Sequence, residues 1–270
     1  MANSQPLRVL GLDIASRNWS TNGVALLTCT DSAEWANVQV QLGRDDWPHT
    51  PMTVAAMVAW LLEQIDHHQI DAIAMDGPIA WRDPQAGERP GVGRASEYAL
   101  KTPGKTGPPG KVYPANYRGW VEFCIAVVDG LLDSGRVALI NDPMAIPPRD
   151  GSGRQTGLME VFPTAVWRSC GLAPLAGHAK VGPQDLADAR QRLQARLGIQ
   201  SVQIHRCQHD DLQAWVAALP AMGLLARMGQ LAPLGQARAW GEPARDSDWE
   251  GRRIRIEGFI WDLLLDQRLA

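Results

Sequence analysis

Two short apolar runs constrain this chain most. Arg8–Asp13 (RVLGLD) and Ile70–Asp76 (IDAIAMD) both read as buried strands, both end in an aspartate, and the second is broken at once by Gly77-Pro78. Between them Met52, Val54, Ala55, Val58, Leu61, Leu62 and Ile65 recur at helical spacing behind Pro51, which suits a first helical turn. Strand, helix, strand in this order is a crossover, so the strand ending at Asp76 is expected to run parallel to an earlier one. Ahead of the helix, Gly23–Cys29 (GVALLTC) is a second apolar run and Val38–Leu42 (VQVQL) alternates apolar with polar. Three strands on short links predict an antiparallel meander. The class is therefore α/β, with a mixed sheet.

Beyond Asp76 the pattern is less regular. The stretch 83–117 is rich in Gly and Pro and holds only a short helix, around Arg94–Leu100. A run of this kind inside a compact domain is more often functional than filler. Helical spacing resumes over Arg118–Leu132 and Leu186–Leu197. Val137–Ile140 and Leu158–Phe162 are short strand candidates either side of a loop, Asn141–Gly157. His209–Met228 is a long apolar helix that Pro220 is expected to kink or divide. Arg253–Trp261 alternates like a late edge strand. No repeat or boundary interrupts the chain, so residues 1–270 are expected to form one domain with an insertion at about 83–117.

Composition excludes several classes. No apolar run reaches the roughly 18–20 residues needed to span a bilayer, and the N-terminus lacks the pattern of a signal peptide. The four cysteines lie far apart with no CxxC pair, which suits a reduced, cytoplasmic protein. A net charge of −3 gives no global attraction to nucleic acid or to anionic membranes. Locally, Lys101, Lys105, Lys111 and Arg118 fall in a stretch without Asp or Glu, and Tyr113 and Tyr117 beside them suit stacking on bases. The eleven tryptophans are read as packing.

Carboxylates at strand ends have no packing role, and ligands of open α/β sheets gather where parallel strands end. Asp13 and Asp76, if adjacent, would repel unless protonated or bridged by a cation. Glu160, within Leu158–Phe162, and Asp210 and Asp211, opening the long helix, are the further acidic candidates. Helix capping alone also accounts for an Asp at a helix start. Oxygen-rich sites of this kind suit Mg²⁺ or Mn²⁺.

Six segments, GLDIA (11–15), AMDGPI (74–79), GRASE (93–97), MEVFPTA (159–165), HDDLQAWVAA (209–218) and EGFIW (257–261), resemble in order and spacing the motifs of the predicted RNase H-like nucleases, domain of unknown function 429. The resemblance implies an RNase H-like fold: a mixed five-stranded sheet, an antiparallel meander and then parallel strands, flanked by helices and carrying loop insertions. It implies that Asp13 and Asp76 are metal ligands, that Glu160 belongs to a Glu-x-x-Pro motif, and that Arg94 and Glu97 form an Arg-x-x-acidic motif. The family's last helix usually reads Asp-Asp-x-x-Asp-Ala, whereas here Gln213 stands where the last acid is expected.

The leading expectation is a metal-dependent nuclease or phosphodiesterase. In it Asp13, Asp76, Glu160 and Asp210 are catalytic, and Asp13, Asp76, Asp210 and Asp211 hold Mg²⁺ or Mn²⁺ that activates water. Arg94, Lys101, Lys105 and Lys111 would contact nucleic acid. Gln213 keeps open a non-catalytic binding module on the same fold with a degenerate metal site. An actin-like phosphotransferase is a third reading, without the Gly-rich hairpin it needs. Gly104-Lys105-Thr106 is no P-loop, because position 99 is alanine. His205, Cys207 and His209 alternate too closely for a tetrahedral metal site.

Overall fold

The computed structural model describes residues 6–15, 18–30, 34–86, 91–142, 155–228 and 234–265. Most of the expected loop Asn141–Gly157 lies outside them. The chain begins with the meander: β1 (Leu7–Asp13), β2 (Gly23–Cys29) and β3 (Val38–Leu42), each antiparallel to the one before. Every second residue of β3 is buried, as its alternation dictates. Helix α1 (Val54–His68) starts where the Thr53 hydroxyl accepts the Ala56 N–H at 3.1 Å, and it stops at Gln69, which turns left-handed. It returns the chain to β4 (Ala72–Asp76), parallel to β1.

The Gly/Pro-rich stretch contains α2 (Ala95–Ala99) and a small hairpin of β5 (Lys105–Thr106) and β6 (Val112–Tyr113). Then come α3 (Arg118–Asp133), β7 (Val137–Leu139), β8 (Thr156–Val161), α4 (Pro163–Ser169), α5 (Pro183–Leu197), β9 (Ser201–Ile204) and α6 (His209–Met228). The chain ends with β10 (Gln236–Trp240), the β11–β12 hairpin (Arg245–Trp249 and Arg252–Ile256) and β13 (Ile260–Leu264).

Five strands lie in the order β3-β2-β1-β4-β8, antiparallel as far as β1 and parallel beyond it, which is the RNase H-like arrangement. The sheet is wider than five strands: among the described residues it has nine. β9 lies parallel against β3 at one edge, and β13 then β10 extend the other. The upstream half of β8 pairs with β7 and its end pairs with β13. One apolar core lies under α4, α5 and α6, and the other under α1 and α3. Trp19, Trp47 and Trp60 pack together in the second core, and Trp167, Trp215 and Trp261 are buried in the first.

Two expectations need correction. Arg253–Trp261 is not one edge strand: Glu257 (φ 58°) and Gly258 (φ 122°) break it, so its first half pairs in a hairpin and its second enters the main sheet. Helix α6 is not divided at Pro220 but continues from His209 to Met228, because burial along its length holds it against the sheet. That approach needs two glycines. A Cβ on Gly11 would lie 1.9 Å from the Ala214 carbonyl oxygen, and one on Gly23 would lie 1.8 Å from that of Asp210. No helix among the described residues is long and apolar enough to cross a membrane.

Candidate functional site at the strand ends

The crossover brings Asp13 and Asp76 side by side, since they are register partners at the ends of parallel β1 and β4. Glu160 is one strand further on, where β8 passes Met75 of β4. Asp13 also faces Gly23 across β2, and the bare α-carbon of Gly23 admits the backbone of Asp210. The first turn of α6 therefore sits above β1 and β2. Asp13, Asp76, Glu160, Asp210 and Asp211 do gather at one end of the molecule.

Their partners separate them. Glu160 is held by Arg94, with Nη2 to Oε1 at 2.6 Å and Nη1 to Oε2 at 2.8 Å, and its Oε2 also accepts the Ile79 N–H at 3.0 Å. The remaining prongs of Arg94 go to Glu97, Nε at 3.3 Å and Nη2 at 3.1 Å. Asp211 accepts Arg206 Nε at 3.0 Å and Nη2 at 2.9 Å, together with the Gln208 and Val24 N–H groups. Asp210 Oδ1 lies 2.7 Å from His209 Nδ1. Gln213, the residue in place of the expected acid, accepts the Trp167 indole N–H at 2.8 Å.

Asp13 and Asp76 have no such partner among the described residues. Burial, then Asp76, Asp210 and Asp211, push the Asp13 carboxyl well above the usual carboxylate range. Burial, then Glu160 and Asp210, push Asp76 up to about 8. Burial also raises Glu160 and works against the charge of Arg94, but Glu160 and Glu97 outweigh it and hold the guanidinium above its ordinary value. We read this group as an ion pair, because two-pronged charged hydrogen bonds are the strong ones.

This overturns the expected cofactor. Among the described residues no group of three or more His, Cys, Asp or Glu side chains is arranged to hold a metal ion. The assignment of Asp13, Asp76, Asp210 and Asp211 as ligands for Mg²⁺ or Mn²⁺ is corrected accordingly. The physical reason is that guanidinium, imidazole and backbone donors already occupy oxygens of Glu160, Asp210 and Asp211, which leaves Asp13 and Asp76 as a bare pair. Arg94 is also relocated. Completely buried, it joins α2 to β8 and turns no prong outward to a substrate.

The basic residues divide too. Lys105 is half-buried beside Glu97 and over the Tyr98 ring, with Nζ turned to the Thr102 carbonyl and hydroxyl. Burial lowers its pKa. Lys101 and Lys111 are exposed. At the strand ends lies a pocket of about 440 Å³, lined by Asp13 and Asp76 on one side and by Tyr117, Trp120 and the hairpin with Lys105 on the others. The Trp120 indole N–H closes one side by donating to the Ile14 carbonyl.

Reasoning from sequence missed Glu257 and Arg206. Glu257 is wholly buried and accepts the Asp83 and Ala95 N–H groups at 3.1 and 3.3 Å, anchoring both ends of the loop that carries Arg94. An acid opening the apolar segment EGFIW was the available signal. Arg206 is the cation between the alternating His and Cys, where the histidines draw attention away from it.

No protein-family model matches this chain, so the family read from the six segments is not confirmed, and no curated protein matches it either. Among solved structures, the chain is similar to "Thermus thermophilus RuvC structure" at 16% identity and a TM-score of 0.37, covering 84% of this chain and 99% of that one. It is similar also to "T. thermophilus RuvC in complex with Holliday junction substrate", at 15% identity and a TM-score of 0.35 over the same shares. Likeness at this level carries no functional weight, and the RNase H-like assignment rests on strand order and direction.

Proposed function

We propose that this chain is a non-catalytic binding module on an RNase H-like fold, and that it takes single-stranded nucleic acid at the end where the parallel strands stop. The observation that carries the proposal is the contrast between floor and mouth of that end. The floor commits Glu160 and Glu97 to Arg94 and leaves Asp13 and Asp76 as a bare pair. The mouth displays Lys101, Lys111 and Arg118 with Tyr98, Tyr113 and Tyr117, all exposed. Val92 is also exposed and lies against Gly107, so of the six exposed large hydrophobic residues among those described, four border this hairpin. Among the described residues neither Lys101 nor Lys111 has an ion-pair partner, and Arg118 meets only the half-exposed Glu122. Cations interleaved with aromatic rings suit a strand whose bases are free to stack.

The test is anisotropy of labelled single-stranded DNA and RNA titrated in EDTA. Saturable binding is expected without divalent ions. Three phosphate contacts on a single strand give a log–log salt slope of about −2. Added Mg²⁺ or Mn²⁺ leaves the strands intact. Absence of binding at low salt overturns the reading, as does cleavage that the Asp13→Asn variant loses.

A further inference from the structure

The pocket beneath the basic mouth is polarised along its depth. Its volume of about 440 Å³ falls within the range of small-molecule sites, about 300–1,000 Å³. At its floor Asp13 is more than nine-tenths buried, yet no described residue donates a hydrogen bond to it. Asp76 is beside it on the neighbouring strand, about one strand spacing (~4.8 Å) away. A buried carboxyl without a partner costs free energy in the empty protein and is recovered by a ligand that brings donors. Half-way up, Tyr117 and Trp120 form an aromatic wall, their ring centroids 6.0 Å apart and steeply inclined. Lys105 of the hairpin, half-buried, is the cation in the lining.

Acceptors at the bottom, rings at the side and a cation in the lining match a nucleotide entering base first. We infer that this pocket receives one unstacked base of the bound strand, and that it favours a base with an exocyclic amino group, whose N–H bonds reach Asp13 and Asp76. The base packs against Trp120 and Tyr117, and its phosphate remains near Lys105. The pair shares protons but keeps more lone pairs than O–H groups, so a carbonyl oxygen at the same position, as in thymine, finds fewer partners and binds more weakly. Seating the base costs unstacking, which is small in a single strand. This inference rests on the nucleic-acid reading above and adds to it the choice of base.

The experiment compares an all-thymine strand with the same strand carrying one central cytosine, in EDTA, against the native chain and the Asp13→Asn/Asp76→Asn double variant. The cytosine strand is expected to bind the native protein about tenfold tighter, the scale of one good base contact. The double variant, its fold checked by circular dichroism, loses the cytosine advantage. Equal binding of both strands by the native protein overturns the inference and leaves the function standing. Cytosine preference that persists in the folded double variant overturns it too. Failure of either strand to bind overturns the function, and the inference falls with it.

Discussion

Two groups of carboxylates share one end of this molecule and meet opposite fates. On the β8 side, Glu160 and Glu97 are gripped by one buried guanidinium, and Glu257 is satisfied by backbone N–H groups. One strand away, Asp13 and Asp76 are register partners with no cation beside them among the described residues, and burial with the charge of neighbouring carboxylates raises the pKa of both. The sheet places the two groups alike, so position at a strand end does not decide what a carboxylate does. The donors brought by neighbouring loops decide it. Arg94 fastens the loop after β4 to the sheet, while the bare pair keeps a pocket floor open to a ligand.

The sharpest way to break the contrast is to remove Arg94. Arg94→Met leaves Glu160 and Glu97 buried without their cation, and breaking a buried pair in this manner costs about 3–5 kcal/mol. Urea denaturation is expected to show that loss at neutral pH, and a change below 1 kcal/mol would mean the acids relax into solvent.

Asp76 acts in the opposite direction. Its carboxyl rises from 3.8 to about 8 on folding, so between those values the folded chain holds a proton that the unfolded chain has released. Stability therefore falls as pH rises from about 4 to about 8. Each unit is worth about 1.4 kcal/mol, part of it relieved by water at the pocket mouth. Asp76→Asn is expected to flatten the slope and to gain on the order of 3 kcal/mol at pH 8.5. An unchanged pH profile would show that Asp76 ionises normally.

The smallest effect belongs to the rim. Lys111→Ala, at an exposed position, should leave stability within about 0.5 kcal/mol. It should also flatten the salt dependence of strand binding by about 0.7 of a log unit per log unit of salt. An unaltered slope in the anisotropy titration would remove Lys111 from the phosphate path.

Much of this architecture was legible in the residues. RVLGLD, IDAIAMD and the helical spacing between them dictate the parallel pair, and VQVQL dictates the half-exposed third strand of the meander. The neighbourhood of Asp13 and Asp76 follows from that crossover. What the chain does not announce locally are contacts across long separations. Arg94 and Glu160 are 66 residues apart, and Glu257 and Ala95 are 162 apart. An Arg three residues before a Glu reads as a surface pair until the fold buries it. The added edge strands escaped for a related reason: SVQI and QARAW are short and half-polar, and they become strands because β3 and β13 offer them unpaired edges.

The acids at this end are either paired with protein donors or raised in pKa, and among the described residues no group of them is arranged to hold a divalent cation. Thermal melting of the native chain in EDTA and in millimolar Mg²⁺ or Mn²⁺, beside Asp13→Asn, tests it most directly, because a ligand that binds only the folded state must raise Tm. The same Tm is expected with and without the metal in both proteins. A metal-dependent rise in the native chain that Asp13→Asn abolishes would contradict it.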